Sequence, residues 1–108
     1  MMKKTQPAAG IRVGDWGTQI ILKVMEDDAI VNLASASGSM DIIARKGDGT
    51  LVTWDATFVT DGTDGRMSYT TVANDINVPG TWRFQGFVTM PTGAWKTTIA
   101  TLEVSDNL

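Results

Sequence analysis

Residues 81–90 read TWRFQGFVTM, and in an extended chain Trp82, Phe84, Val88 and Met90 all fall on one side. Period-two alternation marks a strand with one buried face, and a chain built from such strands has few architectures open to it. The pattern recurs. QIILKVME (19–26) sets Ile20, Leu22 and Val24 on one face, and LVTWDATFV (51–59) does the same with Val52, Trp54, Ala56 and Phe58. RMSYTTV (66–72) aligns Met67, Tyr69 and Thr71, and MDIIARK (40–46) reads as another strand. WKTTIATLEV (95–104) closes the chain, with Ala100, Leu102 and Val104 inward and Trp95 and Ile99 on the opposite side.

Turn chemistry separates these runs. Glu26-Asp27-Asp28 turns into AIVNL (29–33), a short edge strand, and Asp48-Gly49 joins two strands as a hairpin because both residues tolerate positive φ. Ser35–Ser39 is a loop of small residues, ANDINVPG (73–80) a connection with room for one helical turn, and PTGA a turn before the last strand. About seven short strands, with turn signals every ten residues or so and no helical period, give an all-β, antiparallel sandwich. Residues 1–18 are polar and broken by Pro7, Gly10, Gly14 and Gly17, so they are expected to form an extended, flexible N-terminal arm before a single domain over 19–108.

Composition narrows the chemistry. With 108 residues, 43% hydrophobic and 19% charged, the chain can fold around one core without staples. The absence of cysteine removes disulfides and thiolate sites, and the absence of histidine removes the commonest general base and metal ligand. A net charge of −3 gives no reason to expect nucleic acid. Lys3 and Lys4 are followed by QPAAG where a signal peptide needs an apolar run, and no segment approaches the ~20 apolar residues of a membrane helix. A product kept soluble in a cytoplasm, or carried out by a particle, is expected.

The segment TDGTDG (60–65) raises the one question of metal chemistry. Asp61 and Asp64, with the threonine hydroxyls, are a candidate calcium loop, with Glu26, Asp27 and Asp28 as possible additions. The loop also joins two well-patterned strands, where Asp and Gly are selected by turn geometry alone. The turn is the favoured reading, and no cofactor is expected. Asp15, Asp41 and Asp55 are candidates for a catalytic carboxylate pair, but acids at outward strand positions are ordinarily a solvated face. Trp54 and Trp82 read as core, whereas Trp16 and Trp95 lie beside loops as surface anchors. Large apolar side chains at Ile21, Met25, Trp95 and Ile99 on the outward faces of the first and last strands, with Trp16, are the candidate interface. They merge into one patch if those strands are neighbours.

The order of these elements carries a resemblance. QIILKVMEDD is followed by VNLASAS, a strand ending in RKGDGTLVTW, a variable turn, GRMSYTTV, a P-G-T-W corner and an aromatic-rich strand. Over residues 18–105 this resembles the immunoglobulin-like N-terminal domain of tailed-phage baseplate upper proteins and related small virion β-sandwich modules. Gly80-Thr81-Trp82 is similar to the Gly-x-Tyr corner of such modules, with Trp82 in the tyrosine's place, so the tyrosine's hydrogen bond is not carried over unchanged. Those proteins continue into long receptor-binding regions, whereas this sequence ends at Leu108, which points instead to a tail, neck or capsid-decoration subunit. The resemblance implies a non-enzymatic virion structural protein that is made in the host cytoplasm. It would bind itself or other virion proteins, as a homo-oligomer, through the outer faces of its terminal strands. The alternative is a carbohydrate-binding module stacking sugars on Trp16 or Trp95; a third, weaker reading is a two-acid hydrolase.

Overall fold

The computed structural model describes residues 10–36 and 40–107. Segment 1–9 of the expected arm and residues 37–39 of the small-residue loop lie outside the described residues. The described chain is all-β, with antiparallel and mixed sheets, consistent with the β-sandwich class. Its strands are β1 (Ile11–Arg12), β2 (Gln19–Lys23), β3 (Met25–Glu26), β4 (Ala29–Ile30), β5 (Met40–Arg45) and β6 (Leu51–Asp55). Then follow β7 (Thr57–Phe58), β8 (Arg66–Thr70), β9 (Gly80–Met90), β10 (Gly93–Lys96) and β11 (Ala100–Ser105). One sheet has the order β1-β11-β9-β5-β6, with β10 paired to β9 beyond the end of β11; a second is β2-β8-β7, and β3 with β4 forms a separate hairpin. Every pairing is antiparallel except that of β1 with β11.

The alternation read from the sequence becomes the core. Ile20, Leu22 and Met67 from the smaller sheet join Ile42, Ala44, Trp54, Trp82, Phe84 and Val88 from the larger one in a single buried cluster. Tyr69 on β8 stacks on Trp54 of β6 with ring centroids 4.5 Å apart, which ties the two sheets together. Met67 reaches the larger sheet where Gly86 leaves room: a Cβ there would lie 2.7 Å from the Met67 sulfur. Leu33 and Ile76 also lie fully buried although neither sits in a strand. Between β3 and β4, Asp27 and Asp28 adopt φ of 52° and 64°, the double left-handed turn that suits the twist of a two-residue hairpin.

Four expectations are corrected. Residues 10–18 are laced to the domain rather than hanging free: Val13 N–H donates to Ser105 O, Gly14 N–H to Ile76 O and Gly17 N–H to Thr71 O. Thr18 N–H donates to the buried Thr71 hydroxyl at 3.0 Å. The edge strand after Asp28 extends only over Ala29–Ile30. The 73–80 connection contains no helical turn; Asp75 organises it by accepting from Val72 N–H at 2.8 Å and from the Tyr69 hydroxyl at 2.6 Å.

The fourth concerns the last strand, which is split. Trp95 pairs with Val88 and Ala100 with Phe84, so five steps along one strand oppose four along the other. One extra residue makes a β-bulge, and a one-residue insertion reverses which side chains face inward. Trp95 therefore shares the inner face with Ala100 instead of opposing it, while Ile99 remains outside. Thr97 anchors the bulge, its hydroxyl accepting from Gly86 N–H at 2.8 Å.

Tyr69 is the only tyrosine, so its titration can be read alone. Burial, and then the hydrogen bond to Asp75 and that residue's negative charge, push its pKa from 10.0 up to about 12. The folded state holds this proton more tightly than the unfolded one. The resulting stabilisation is complete below pH 10 and is lost as pH rises from 10 towards 12. Absorbance at 295 nm is expected to show tyrosinate forming near pH 12, and Asp75→Asn is expected to lower that midpoint. A wild-type midpoint at pH 10 in the folded protein would contradict the Tyr69–Asp75 bond.

Candidate functional site

The TDGTDG segment is a turn whose carboxylates are engaged by its own donors. Asp61 accepts from Thr63 N–H at 3.0 Å and from the Thr63 hydroxyl at 2.6 Å. Asp64 accepts from Arg66 N–H at 3.1 Å and from the Thr60 hydroxyl at 3.1 Å, and pairs with Arg66 Nε at 3.2 Å. These bonds hold both carboxyls below the usual aspartate range, with the Thr63 hydroxyl the largest cause for Asp61 and Arg66 N–H for Asp64. Among the described residues no group of three or more acids converges as a metal site.

The expected interface does not form one patch. β2 pairs with β8 and β11 with β9, so the first and last full strands lie in different sheets. Ile21 thus projects from the smaller sheet and Ile99 from the outer face of the larger one. Met25 lies exposed on the β3–β4 hairpin opposite the equally exposed Ile30. Trp95 is half-buried against the core, and its indole N–H donates to Glu26 Oε1 at 3.1 Å. Trp16 stands 68% exposed beside an open groove of about 690 Å³ that also involves Asp15, Thr18 and Gln19.

A second organised surface is the outer face of β11-β9-β5-β6. Alternation on β5 buries Met40, Ile42 and Ala44 and turns Asp41, Ile43 and Arg45 outward. On β9 it turns Arg83, Gln85 and Phe87 outward, and on β6 Leu51, Thr53 and Asp55. Ile43, Leu51, Phe87 and Ile99 line a groove of about 200 Å³ together with Arg45 and Arg83. Leu51 and Ile99 are more than half exposed. Gln85 is fixed at its centre by donating to Thr97 O at 2.9 Å, and Lys96 lies over the Phe87 ring at 5.6 Å from the centroid.

Of these, sequence reasoning singled out Ile99, and weighed Asp41 and Asp55 only as possible catalytic acids. Asp41 and Asp55 are in fact direct cross-strand partners, but on an open face and outside the groove lining. Period-two arithmetic contained the missing signal. Ile42 and Ile43 are adjacent, so one must face out, and Phe84 and Phe87 are an odd number of residues apart, so they take opposite faces. Comparison with protein-family models, with curated proteins and with solved structures finds nothing that matches this chain.

Proposed function

We propose that this chain is a non-enzymatic virion structural subunit of a tailed phage, an immunoglobulin-like β-sandwich that acts through protein–protein contacts in a tail, baseplate, neck or capsid decoration. Three features support the immunoglobulin-like topology. They are the parallel pairing of β1 with β11, the order β11-β9-β5-β6 against β2-β8-β7, and a corner in which the Trp82 indole N–H donates to Val78 O four residues upstream at 3.0 Å. The observation that carries the functional reading is the outer face of the larger sheet. Ile43, Leu51, Phe87 and Ile99 are set there among Arg45, Arg83, Asp41 and Asp55, an apolar centre with a charged rim. Apolar centres with polar rims are how protein interfaces are built.

A second reading, sugar binding, is favoured by one observation, the exposed Trp16 ring beside its polar groove. One experiment separates the two. Immunodetection in gradient-purified particles from the encoding strain is expected to find the chain at a fixed copy number per particle. Abundance in the lysate with absence from particles would overturn the virion role. Under the sugar reading, soluble oligosaccharides would quench tryptophan fluorescence in the wild type but not in Trp16→Ala.

A further inference from the structure

On the outer face of the larger sheet, like charges sit opposite like charges. Arg45 on β5 is the cross-strand partner of Arg83 on β9, and Asp41 on β5 is the partner of Asp55 on β6. Directly opposed like charges destabilise a sheet. Among the described residues the ion pair is Arg66–Asp64, so none of these four side chains has an opposite charge at ion-pair distance. The two arginines mark one end of the face and the two aspartates the other, four residues along β5, or about 13 Å away. Ile43 lies midway between them. Beyond β9 the polarity runs the other way: Lys96, level with Phe87, is at the aspartate end, and Glu103, level with Thr81, lies past the arginine end.

A face with this polarity is complementary to itself. A two-fold axis lying in the contact plane, crossing the strands at Ile43, exchanges the two ends. Tilted by about 20° from the perpendicular to the strands, it would set Arg45 of one copy over Asp55 of the other and Arg83 over Asp41. It also stacks Ile43 on its own symmetry mate, with Leu51, Phe87 and Ile99 around it. An isologous contact needs this self-matching, whereas an unrelated partner would need only one sign of charge or none. We infer that the protein is a two-fold homodimer that joins through the outer face of β11-β9-β5-β6, with the arginine pair of each copy neutralised by the aspartate pair of the other. This inference rests on the assembly reading above, and it names the partner as a second copy of this chain.

Light scattering on the full chain over a wide concentration range tests it. The wild type is expected to move from 11.6 kDa towards twice that mass, and to do so less readily as salt is raised. Arg45→Asp with Arg83→Asp makes both ends acidic; Asp41→Arg with Asp55→Arg makes both ends basic. Each double variant alone is expected to dimerise with Kd raised roughly a hundredfold. An equimolar mixture of the two is expected to recover the dimer mass, because every opposed pair is again of opposite sign. Should either double variant lose its near-UV circular dichroism, Ile43→Lys decides, since it sets two lysines against each other at the axis and is expected to leave a monomer. A wild type that stays monomeric, a double variant that dimerises like the wild type, a mixture that stays monomeric, or an Ile43→Lys dimer each overturns the inference. Loss of the dimer with the chain still present in particles removes only this inference. A dimer in a chain absent from particles removes only the virion role.

Discussion

Trp82→Ala is expected to be among the most destabilising single substitutions in this chain, at about 3–5 kcal/mol. Trp82 is fully buried, sits against Phe84 with ring centroids 6.4 Å apart, and lies under Lys46, whose ammonium is 5.9 Å from the ring centroid. Truncation leaves a cavity near the start of β9, the strand that both flanks of the larger sheet depend on. Because domains of this size are stable by only about 5–15 kcal/mol, the variant would lose much of its margin, with Tm lowered by roughly 15 °C or more. Trp82→Phe separates packing from hydrogen bonding: it keeps an aromatic ring but leaves the Val78 carbonyl without the indole donor, adding about 1–3 kcal/mol to the smaller packing loss. Urea titrations followed by far-UV circular dichroism give both values. If Trp82→Ala cost less than 1 kcal/mol, the corner between Val78 and Trp82 would not be holding the start of β9.

The legible part of this fold was the part that period two controls. Ile20, Leu22, Val24, Trp54, Met67, Trp82, Phe84 and Val88 are buried where alternation places them, because burying one face of a strand fixes the parity of every residue on it. Parity arithmetic fails at an insertion. The extra residue near Thr97 is invisible in WKTTIATLEV, where two threonines and a lysine look alike on either side, so alternation alone puts Trp95 on the wrong face. Leu33 and Ile76 escaped for a different reason: buried residues in loops have no periodicity to announce them, and both are placed by backbone bonds made far along the chain. Leu33 N–H donates to Gly62 O at 2.7 Å, and Ile76 O accepts from Gly14 N–H at 2.8 Å. The charged ends of the assembly face depend on cross-strand register. That Arg45 meets Arg83, and Asp41 meets Asp55, requires knowing how β5, β6 and β9 align, and no local pattern states it.

Gly65→Ala is expected to cost about 2–4 kcal/mol, through two separable effects. Gly65 has φ of 71°, where a Cβ is disfavoured, and that Cβ would lie 2.7 Å from Ile30 Cγ2 and 2.9 Å from Val31 O. The approach is this close because the 60–65 turn is stitched to the chain that leaves β2: Gly65 O accepts from Val24 N–H at 2.8 Å, and Gly62 O from Leu33 N–H. Gly49 supplies the control. Its φ of 91° is equally left-handed, yet no atom lies within 4 Å of its would-be Cβ, so Gly49→Ala should carry only the conformational part, about 1–2 kcal/mol. The difference between the two variants measures how tightly the turn is pressed against Ile30 and Val31. Equal losses would mean that the stitching is not needed for stability. Thermal melts of the two variants give both losses, and melts of the wild type with calcium or a chelator bear on the reason for the aspartates in the 60–65 turn. Asp61 and Asp64 already accept from Thr63, Thr60 and Arg66, so Tm is expected to be unchanged by either addition. A rise in Tm with calcium would mean that the carboxylates exchange those donors for an ion, and that the turn is a metal loop after all.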